Sequence, residues 1–159
     1  MNRIVNVGLI FKNRIGIASQ VSKRVFDNGG NITQSDMVKL GNHFAFDLTA
    51  TFPNNYNEDI FKNLDRGLLI NQLHDTYKSK IKLYSSDNPG IIHSTCEKLE
   101  SLNADIISLN STVTPAPFSS GPLFSLIVEF NIDRNISKEV IKKRMEDVVN
   151  NYYCEIDIE

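Results

Sequence analysis

The 159-residue sequence predicts an α+β fold in which one β-α-β-β-α-β unit is used twice. Two observations support this. The segment Phe11–Ile32 aligns with Ser85–Ile106 without a gap at an offset of 74 residues, and this alignment places Gly16 on Gly90. The hydrophobic pattern around both segments also changes in the same order, from a period of two to a period near four.

A strand is predicted before each aligned segment. Residues 4–11 place Val5, Val7, Leu9 and Phe11 on one side, with a period of two. Residues 78–84 alternate Ile81 and Leu83 with Lys80, Lys82 and Tyr84, which is typical of a strand with one face in water.

A helix is predicted inside each segment. Ile17, Val21 and Val25 recur every four residues, and the second copy repeats this apolar stripe with Ile91, Thr95, Leu99 and Leu102. Gly29-Gly30 is a helix stop, because glycine adopts the left-handed conformation easily. Asn103 is expected to end the second helix in the same way.

Two further strands follow in each copy. In the first copy they are residues 33–39 and 43–51, joined by Leu40-Gly41-Asn42. In the second copy they are residues 107–114 and 123–131, joined by the proline-rich loop 115–122. Proline has no N–H group for a sheet ladder, so this loop lies outside the sheet.

A second helix and a last strand are predicted to close each copy. Ser137 is the expected N-cap of a helix that carries Val140, Ile141, Met145, Val148 and Val149. Asn57 has the same position in the first copy, with Glu58 and Asp59 at the positive helix start. The last strand is predicted at residues 152–158. Its counterpart is predicted at residues 68–74, although that segment also suits a continuing helix.

This order of elements is the ferredoxin-like split unit, a four-stranded antiparallel sheet with both helices on one face. The chain therefore divides into a first domain, 1–76, and a second domain, 77–159. The other face of each sheet is left to be covered, by the other copy or by a second chain. Two halves of about 80 residues would be marginally stable alone, so we expect them to depend on each other or on a partner.

Composition excludes several functional classes. The net charge is -2 with no dominant basic block, so no direct nucleic-acid binding is expected. Two cysteines are too few for a disulfide scaffold. The N-terminal apolar run is too short and too interrupted for a signal peptide or a membrane span. The expected location is therefore the cytoplasm.

Each copy resembles an ACT domain, a small-molecule sensing module of amino-acid metabolism. The resemblance rests on Asp87-Asn88-Pro89-Gly90-Ile91, on the looser Asn13-Arg14-Ile15-Gly16-Ile17, and on the helix ends Gly30-Asn31-Ile32 and Ala104-Asp105-Ile106. The arrangement is similar to the tandem-ACT group related to the glycine cleavage system transcriptional repressor, including its loop at 114–124. The first copy departs from the pattern, because Ile15 stands where proline is usual.

The resemblance implies an amino-acid site at a domain interface, formed by this loop and by a neighbouring domain's second strand and helix start. Physically, Pro89 suits the first helical position, with Asn88 or Asp87 as the cap. Backbone N–H groups around Gly90 and Ile91 would then hold a carboxylate, and the Asp87 or Asn88 side chain would take the ammonium. The alternative is an ordinary capped turn between strand and helix.

The first copy offers a weaker set of candidates. Asn13, Arg14, Gly16 and Ile17 form the equivalent loop, and the planar guanidinium of Arg14 is a second candidate for a carboxylate. An exposed arginine at a loop tip is the commoner case. Gln34 and Asp36 on the second strand are candidates to reach across an interface, or are simply a solvated strand edge.

The sequence gives little support to catalysis, and we predict no catalytic residue, metal or cofactor. His43, His74 and His93 lack metal-ligand spacing. Cys96 follows His93 by three residues, which would allow a Cys-His pair, but a small buried cysteine is commoner. The expected protein is a non-enzymatic amino-acid sensor that forms a homo-oligomer, a dimer, and acts on a protein partner. The alternatives are a ligand-free adaptor and the regulatory subunit of an enzyme.

Overall fold

A computed structural model describes residues 2–62, 64, 75–115 and 121–159 of the chain, without the side chains of residues 2 and 58. The elements in chain order are β1 (Asn2–Lys12), α1 (Ile17–Asp27), β2 (Asn31–Leu40), β3 (His43–Pro53), a 3₁₀ turn (Glu58–Phe61), β4 (Thr76–Ser86), α2 (Ile91–Ser101), β5 (Asp105–Thr114), β6 (Leu123–Asp133), α3 (Lys138–Tyr152) and β7 (Glu155–Ile158).

The predicted α+β fold is confirmed, and the repeat is regular. The bounds of β4, α2 and β5 are those of β1, α1 and β2 shifted by 74 residues. Both copies also carry a register shift at the same place, between Ile32 and Gln34 and between Ile106 and Ser108. A shared bulge at equivalent positions indicates that the repeat extends to backbone detail.

The two copies lie side by side in one seven-stranded antiparallel sheet, with strand order β1-β3-β2-β5-β6-β4-β7. They join through β2 and β5, where the buried hydroxyls of Ser35 and Ser111 lie 2.6 Å apart. In this ladder Asp36 faces Asn110, its own equivalent in the repeat. A pseudo-twofold axis therefore passes through this pair, and neither copy covers the open face of the other.

The core lies between the sheet and the helices. Alternate side chains of the strands point to the helices and are fully buried, and this set includes Phe44, Leu48, Phe52, Phe124, Leu126 and Phe130. Each buried side chain of this size contributes about 1.5 to 3 kcal/mol. The opposite, open face carries the other alternate residues of the same strands, which are partly or fully exposed.

Most predicted helix ends are confirmed. Gly29 adopts φ +72°, and the N–H of Gly30 donates to the carbonyl of Val25 at 2.9 Å. Asn103 adopts φ 57° at the end of α2. The Ser137 hydroxyl accepts a hydrogen bond from the N–H of Val140 and caps α3.

The predicted start of the last strand is wrong by three residues. Helix α3 continues to Tyr152, Tyr153 then adopts the left-handed conformation, and β7 begins only at Glu155. The physical reason is that a left-handed residue stops a helix without needing glycine, at a modest energetic cost.

Three predictions stay open. The predicted strand at residues 68–74 and residues 116–120 of the proline-rich loop lie outside the described residues. The division of the chain at residue 76 stays a prediction. No helix within the described ranges combines the length and the apolar character that crossing a membrane requires.

Candidate functional site

The two loops before α1 and α2 each contact the other copy. In the first loop, the Asn13 amide donates to the Asp105 carboxylate at 3.3 Å. In the second loop, the Asn31 amide donates to Oδ2 of Asp87 at 3.0 Å. Asn13 and Asp87 are equivalent in the repeat, as are Asn31 and Asp105. Each loop therefore forms a hydrogen bond with the first residue of the second strand in the other copy.

The predicted cap of the second helix is wrong. The N-cap of α2 is Gly90, with φ 91°, and the first helical residue is Ile91, so Pro89 lies before the cap. The Asn88 amide turns back to the Ser86 carbonyl at 3.3 Å, and Asp87 faces Asn31. Asp87 is therefore used in a contact between the copies and Asn88 in a contact within its own loop, and no side chain caps α2.

Both glycines are needed because another chain segment approaches them closely. A Cβ atom on Gly16, which has φ 86°, would lie 2.5 Å from Oε1 of Glu100. A Cβ atom on Gly90 would lie 2.7 Å from the Phe26 ring and 3.0 Å from the Tyr152 hydroxyl. Phe26 and Glu100 are equivalent in the repeat, so each helix start is closed by the last turn of the opposite helix.

Buried polar atoms without a hydrogen-bond partner concentrate at these loops. Among the described residues they are Oδ1 of Asn13, Nε and Nη1 of Arg14, Oδ1 of Asp87 and Nδ1 of His93. Three of these four residues belong to the two loops, and His93 lies in the first turn of α2. Buried polar groups are nearly always paired in folded proteins, so ordered water or another molecule is expected to pair with these atoms.

The second loop faces an aromatic wall. The Phe26 ring stacks on His93 with centroids 6.2 Å apart, and the Tyr152 hydroxyl lies 3.0 Å from Oγ of Ser94. A cavity of about 10 Å³ lies between Phe26, Asn31, Gly90 and His93. That volume holds roughly one water molecule.

The first loop is surrounded by charge instead. Arg14 is buried, with 7% of its surface exposed, and its Nη2 donates to the Gln20 side chain and to the Leu64 carbonyl. Lys39 forms an ion pair with Asp105 at 2.5 Å, beside Asn13. Arg14 is therefore not the exposed loop-tip arginine of the alternative interpretation, and its role as a candidate for binding a carboxylate stays a prediction.

Other sequence candidates lie elsewhere. Ile17 and Ile91 are buried against the core, and Ile91 also lines the cavity beside Gly90. Gln34 and Asp36 are exposed on the open face of the sheet, where Asp36 faces Asp47 on β3. They are not brought to either loop.

Sequence reasoning missed Phe26, Glu100 and Tyr152. The offset of 74 pairs position 26 with position 100, so the repeat held a usable signal for the first two. Nothing local marks Tyr152, because its contact with the loop depends on how α3 packs against α2.

The Cys-His alternative finds no support in the geometry. Cys96 has no exposed surface, and burial raises the pKa of its thiol to about 12. A thiol with that pKa stays protonated near neutral pH and is a poor nucleophile. Among the described residues, no group of three or more metal-ligating side chains comes together.

No family model matches the chain, and no curated protein does. Among solved structures, it is similar to an unknown protein from Galdieria sulphuraria, with 20% identity, a TM-score of 0.51, and coverage of 100% of this chain and 98% of that one. It is also similar to aspartate kinase from Synechocystis, with 14% identity, a TM-score of 0.64, and coverage of 98% of this chain but only 28% of the kinase.

A candidate glycine cleavage system transcriptional repressor is a third neighbour, with 13% identity, coverage of 100% of this chain and 97% of that one, and a TM-score of 0.47. At these identities the likeness to the first two structures concerns the fold alone, and it agrees with the expected α+β fold of repeated ferredoxin-like units.

Proposed function

We propose that this protein is a non-catalytic regulatory protein that binds an amino acid or a related metabolite at the second loop, between its two copies. The observation that carries the proposal is the cluster of buried, unpaired polar atoms at the two loops. An unpaired buried polar group costs about 1 to 3 kcal/mol, and a bound ligand that pairs with it recovers this loss.

The chemistry of the second loop suits an amino acid. Oδ1 of Asp87 is a buried acceptor without a donor, which an ammonium group supplies. Helix α2 begins with no acidic residue in its first turn and no side-chain cap, so its positive end suits a carboxylate. The Asp87 side chain and the start of α2 therefore offer partners for both charged groups of an amino acid.

A ligand at this position contacts both copies, because Asp87 belongs to the second copy while Phe26 and Asn31 belong to the first. Binding would therefore favour the arrangement of the two copies that binds the ligand more tightly. The free-energy shift towards this arrangement equals the difference in the ligand's binding free energy between the two arrangements. We infer that this shift is passed to a partner in the cytoplasm, as regulation of amino-acid or glycine metabolism.

The test measures binding of each of the twenty amino acids by thermal shift and calorimetry, beginning with glycine and serine. We expect at least one to raise Tm, and Asp87→Asn to abolish the shift. Asp47→Asn, on the exposed face of the sheet, is the matched control and keeps it. A folded wild-type protein that responds to none of them would contradict amino-acid sensing.

A specific observation also favours a protein partner. Six of the exposed large apolar side chains lie on the open face of the sheet: Ile4, Ile10, Val38, Leu40, Tyr84 and Leu123. Ile10 and Val38 flank Ala45 across three neighbouring strands, and Ile10 is 71% exposed. Leu40 lies next to Val38 on the same strand face, so Ile10, Val38 and Leu40 form an apolar patch at one end of the open face, whereas Asp36 and Asp47 separate this patch from Ile4. An exposed apolar patch is typical of a surface that another chain covers.

We infer that a second copy covers this face and makes a dimer. Sedimentation of the wild-type protein is expected to show a dimer, and Ile10→Lys to shift it towards the monomer. Ile10→Lys that remains dimeric would contradict this arrangement. If Asp87→Ala with Asn88→Ala keeps every partner while the wild type binds no amino acid, the ligand-free adaptor is the better description.

A further inference from the structure

Equivalent positions close the two loops with different chemistry. The last turn of α2 places the Glu100 carboxylate against Gly16, and the last turn of α1 places the Phe26 ring against Gly90. Both helices begin with a left-handed glycine and lack an acidic residue in their first turn. The loops therefore differ chiefly in what the opposite helix brings to them.

In the first loop, the chain supplies its own carboxylate. Oε1 of Glu100 would lie 2.5 Å and its Cδ 2.8 Å from a Cβ atom on Gly16, so this group fills the space beside the start of α1. A negative charge is favourable at a helix start. Arg14 on the same loop is more than nine-tenths buried and has two nitrogens without an acceptor, which makes this loop suited to an anion.

In the second loop, no charge stands at the start of α2. Phe26 is 43% exposed in the last turn of α1, so turning its ring out into solvent exposes less new apolar surface than moving a fully buried phenylalanine would. The cavity beside it, about 10 Å³, is too small for any amino acid while the ring stays in place. A ligand must therefore displace the ring.

We propose that positions 26 and 100 determine which loop accepts a ligand. Glu100 occupies the first loop as a built-in anion and excludes carboxylates, whereas Phe26 is a movable wall that gives way at the second. The chain consequently binds one amino acid, although it contains two equivalent loops. This inference rests on the proposed function and adds the stoichiometry and the residues that set it.

The experiment is calorimetry and native mass spectrometry on the full chain, with glycine, serine and then the other amino acids as probes. We expect one molecule per chain for the wild type and two for Glu100→Ala. Glu97→Ala, an exposed acid on the same helix, is the control and keeps one. Glu100→Gln retains the side-chain volume and removes only the charge, so it replaces the alanine variant if that variant does not fold.

Phe26→Ala gives a second, independent readout. Without the ring the cavity is already open, so we expect Kd at the second loop to fall about tenfold, equivalent to about 1.4 kcal/mol, with one site still present. Two molecules on the wild type, or one on both Glu100 variants, would overturn the inference. Absence of binding to the wild type and to all three variants would instead contradict the proposed function.

Discussion

The two loops of this protein have the same backbone and different surroundings. Each follows the first strand of its copy, ends in a left-handed glycine and donates or accepts one hydrogen bond across the pseudo-twofold axis. Around Gly16 stand Glu100, Asp105 and Lys39, which are all charged. Around Gly90 stand Phe26, Asn31 and Tyr152, which are all neutral.

This difference teaches that a duplicated fold can keep its geometry while its two sites diverge. The strands and helices fix where each loop lies, and the side chains that face the loop come from the other copy. A substitution in one copy therefore changes the site of the other. Substitutions at equivalent positions of the two copies, in the loops and on the helices, measure this divergence.

The largest expected effect is that of Gly90→Ala. An alanine there adopts a left-handed conformation, at about 1 to 2 kcal/mol, and its Cβ also collides with the Phe26 ring. We expect a loss of about 3 kcal/mol in the free energy of unfolding, measured with urea. Gly16→Ala is expected to lose about half as much, because the end of Glu100 is flexible and moves aside. Equal losses would contradict the distinction between the two walls.

The next effect comes from making the second loop resemble the first. Asn31→Asp sets a second carboxylate opposite Asp87, where the amide nitrogen now lies 3.0 Å from Oδ2. Repulsion between two such carboxylates raises the pKa of one of them. We expect a loss of about 2 kcal/mol near neutral pH that diminishes as the pH falls through the raised pKa, where the pair takes up a proton, and that is gone below about pH 4.

Urea unfolding of Asn31→Asp at several pH values measures this effect. Asn13→Asp is the matched variant in the first loop, where it faces Asp105, and there Lys39 offsets part of the repulsion. We therefore expect a smaller loss at Asn13. A larger loss at Asn13 than at Asn31 would show that the charges around the loops do not act as described.

The sequence predicts those parts of the fold that local patterns determine. The repeat at an offset of 74, the helix stops at Gly29 and Asn103 and the cap at Ser137 all follow from residue type and spacing. Strand alternation also marked the buried face correctly, because a sheet with one covered face requires apolar residues at every second position.

The site was less predictable, because its walls depend on how the copies dock. Asp87 and Asn13 were identified from the loop pattern, but Phe26 and Glu100 face loops 64 and 84 residues away in the chain. The cap at Asn88 or Asp87 was mispredicted because local propensity favours these residues, whereas the observed N-cap of α2 is Gly90. The residues that surround each loop are therefore set by how the two copies pack together, which local sequence patterns do not reveal.

A smaller effect is expected from the pair Ser22 and Cys96, which are equivalent in the repeat. Burial raises the pKa of Cys96 to about 12, from 9.0. The unfolded chain loses the thiol proton at a lower pH than the folded protein does. The contribution of the buried thiol to the free energy of unfolding is therefore intact below about pH 9 and declines above it. The decline is about 1.4 kcal/mol per pH unit.

Thermal or urea unfolding between about pH 8 and pH 10 measures this slope. Cys96→Ala is expected to have a flatter profile than the wild type, while Ser22→Ala keeps the wild-type slope because serine does not titrate in this range. Identical slopes for the wild type and Cys96→Ala would show that Cys96 is not buried in the folded protein.

The smallest effect on stability is expected from the polar contact that links α1 and α2 each to a neighbouring element. Lys98 on α2 forms an ion pair with Asp147 on α3 at 2.7 Å, and it holds the pKa of that carboxyl below its usual value. Its equivalent, Arg24, instead donates to the carbonyl of Ile60 at 3.5 Å. Exposed ion pairs are weak and are screened by salt, whereas a hydrogen bond to a carbonyl depends less on ionic strength.

We therefore expect Lys98→Ala to lower Tm by only about 2 °C at low salt and by almost nothing near 1 M salt. Arg24→Ala is expected to lower Tm by a similar amount at both salt concentrations. The informative result is the difference in salt dependence between the two variants, and not the size of either change in Tm. If Tm of the two variants depends on salt in the same way, the ion pair between Lys98 and Asp147 does not stabilise the packing of α2 against α3. The difference between the two copies is then confined to the loops.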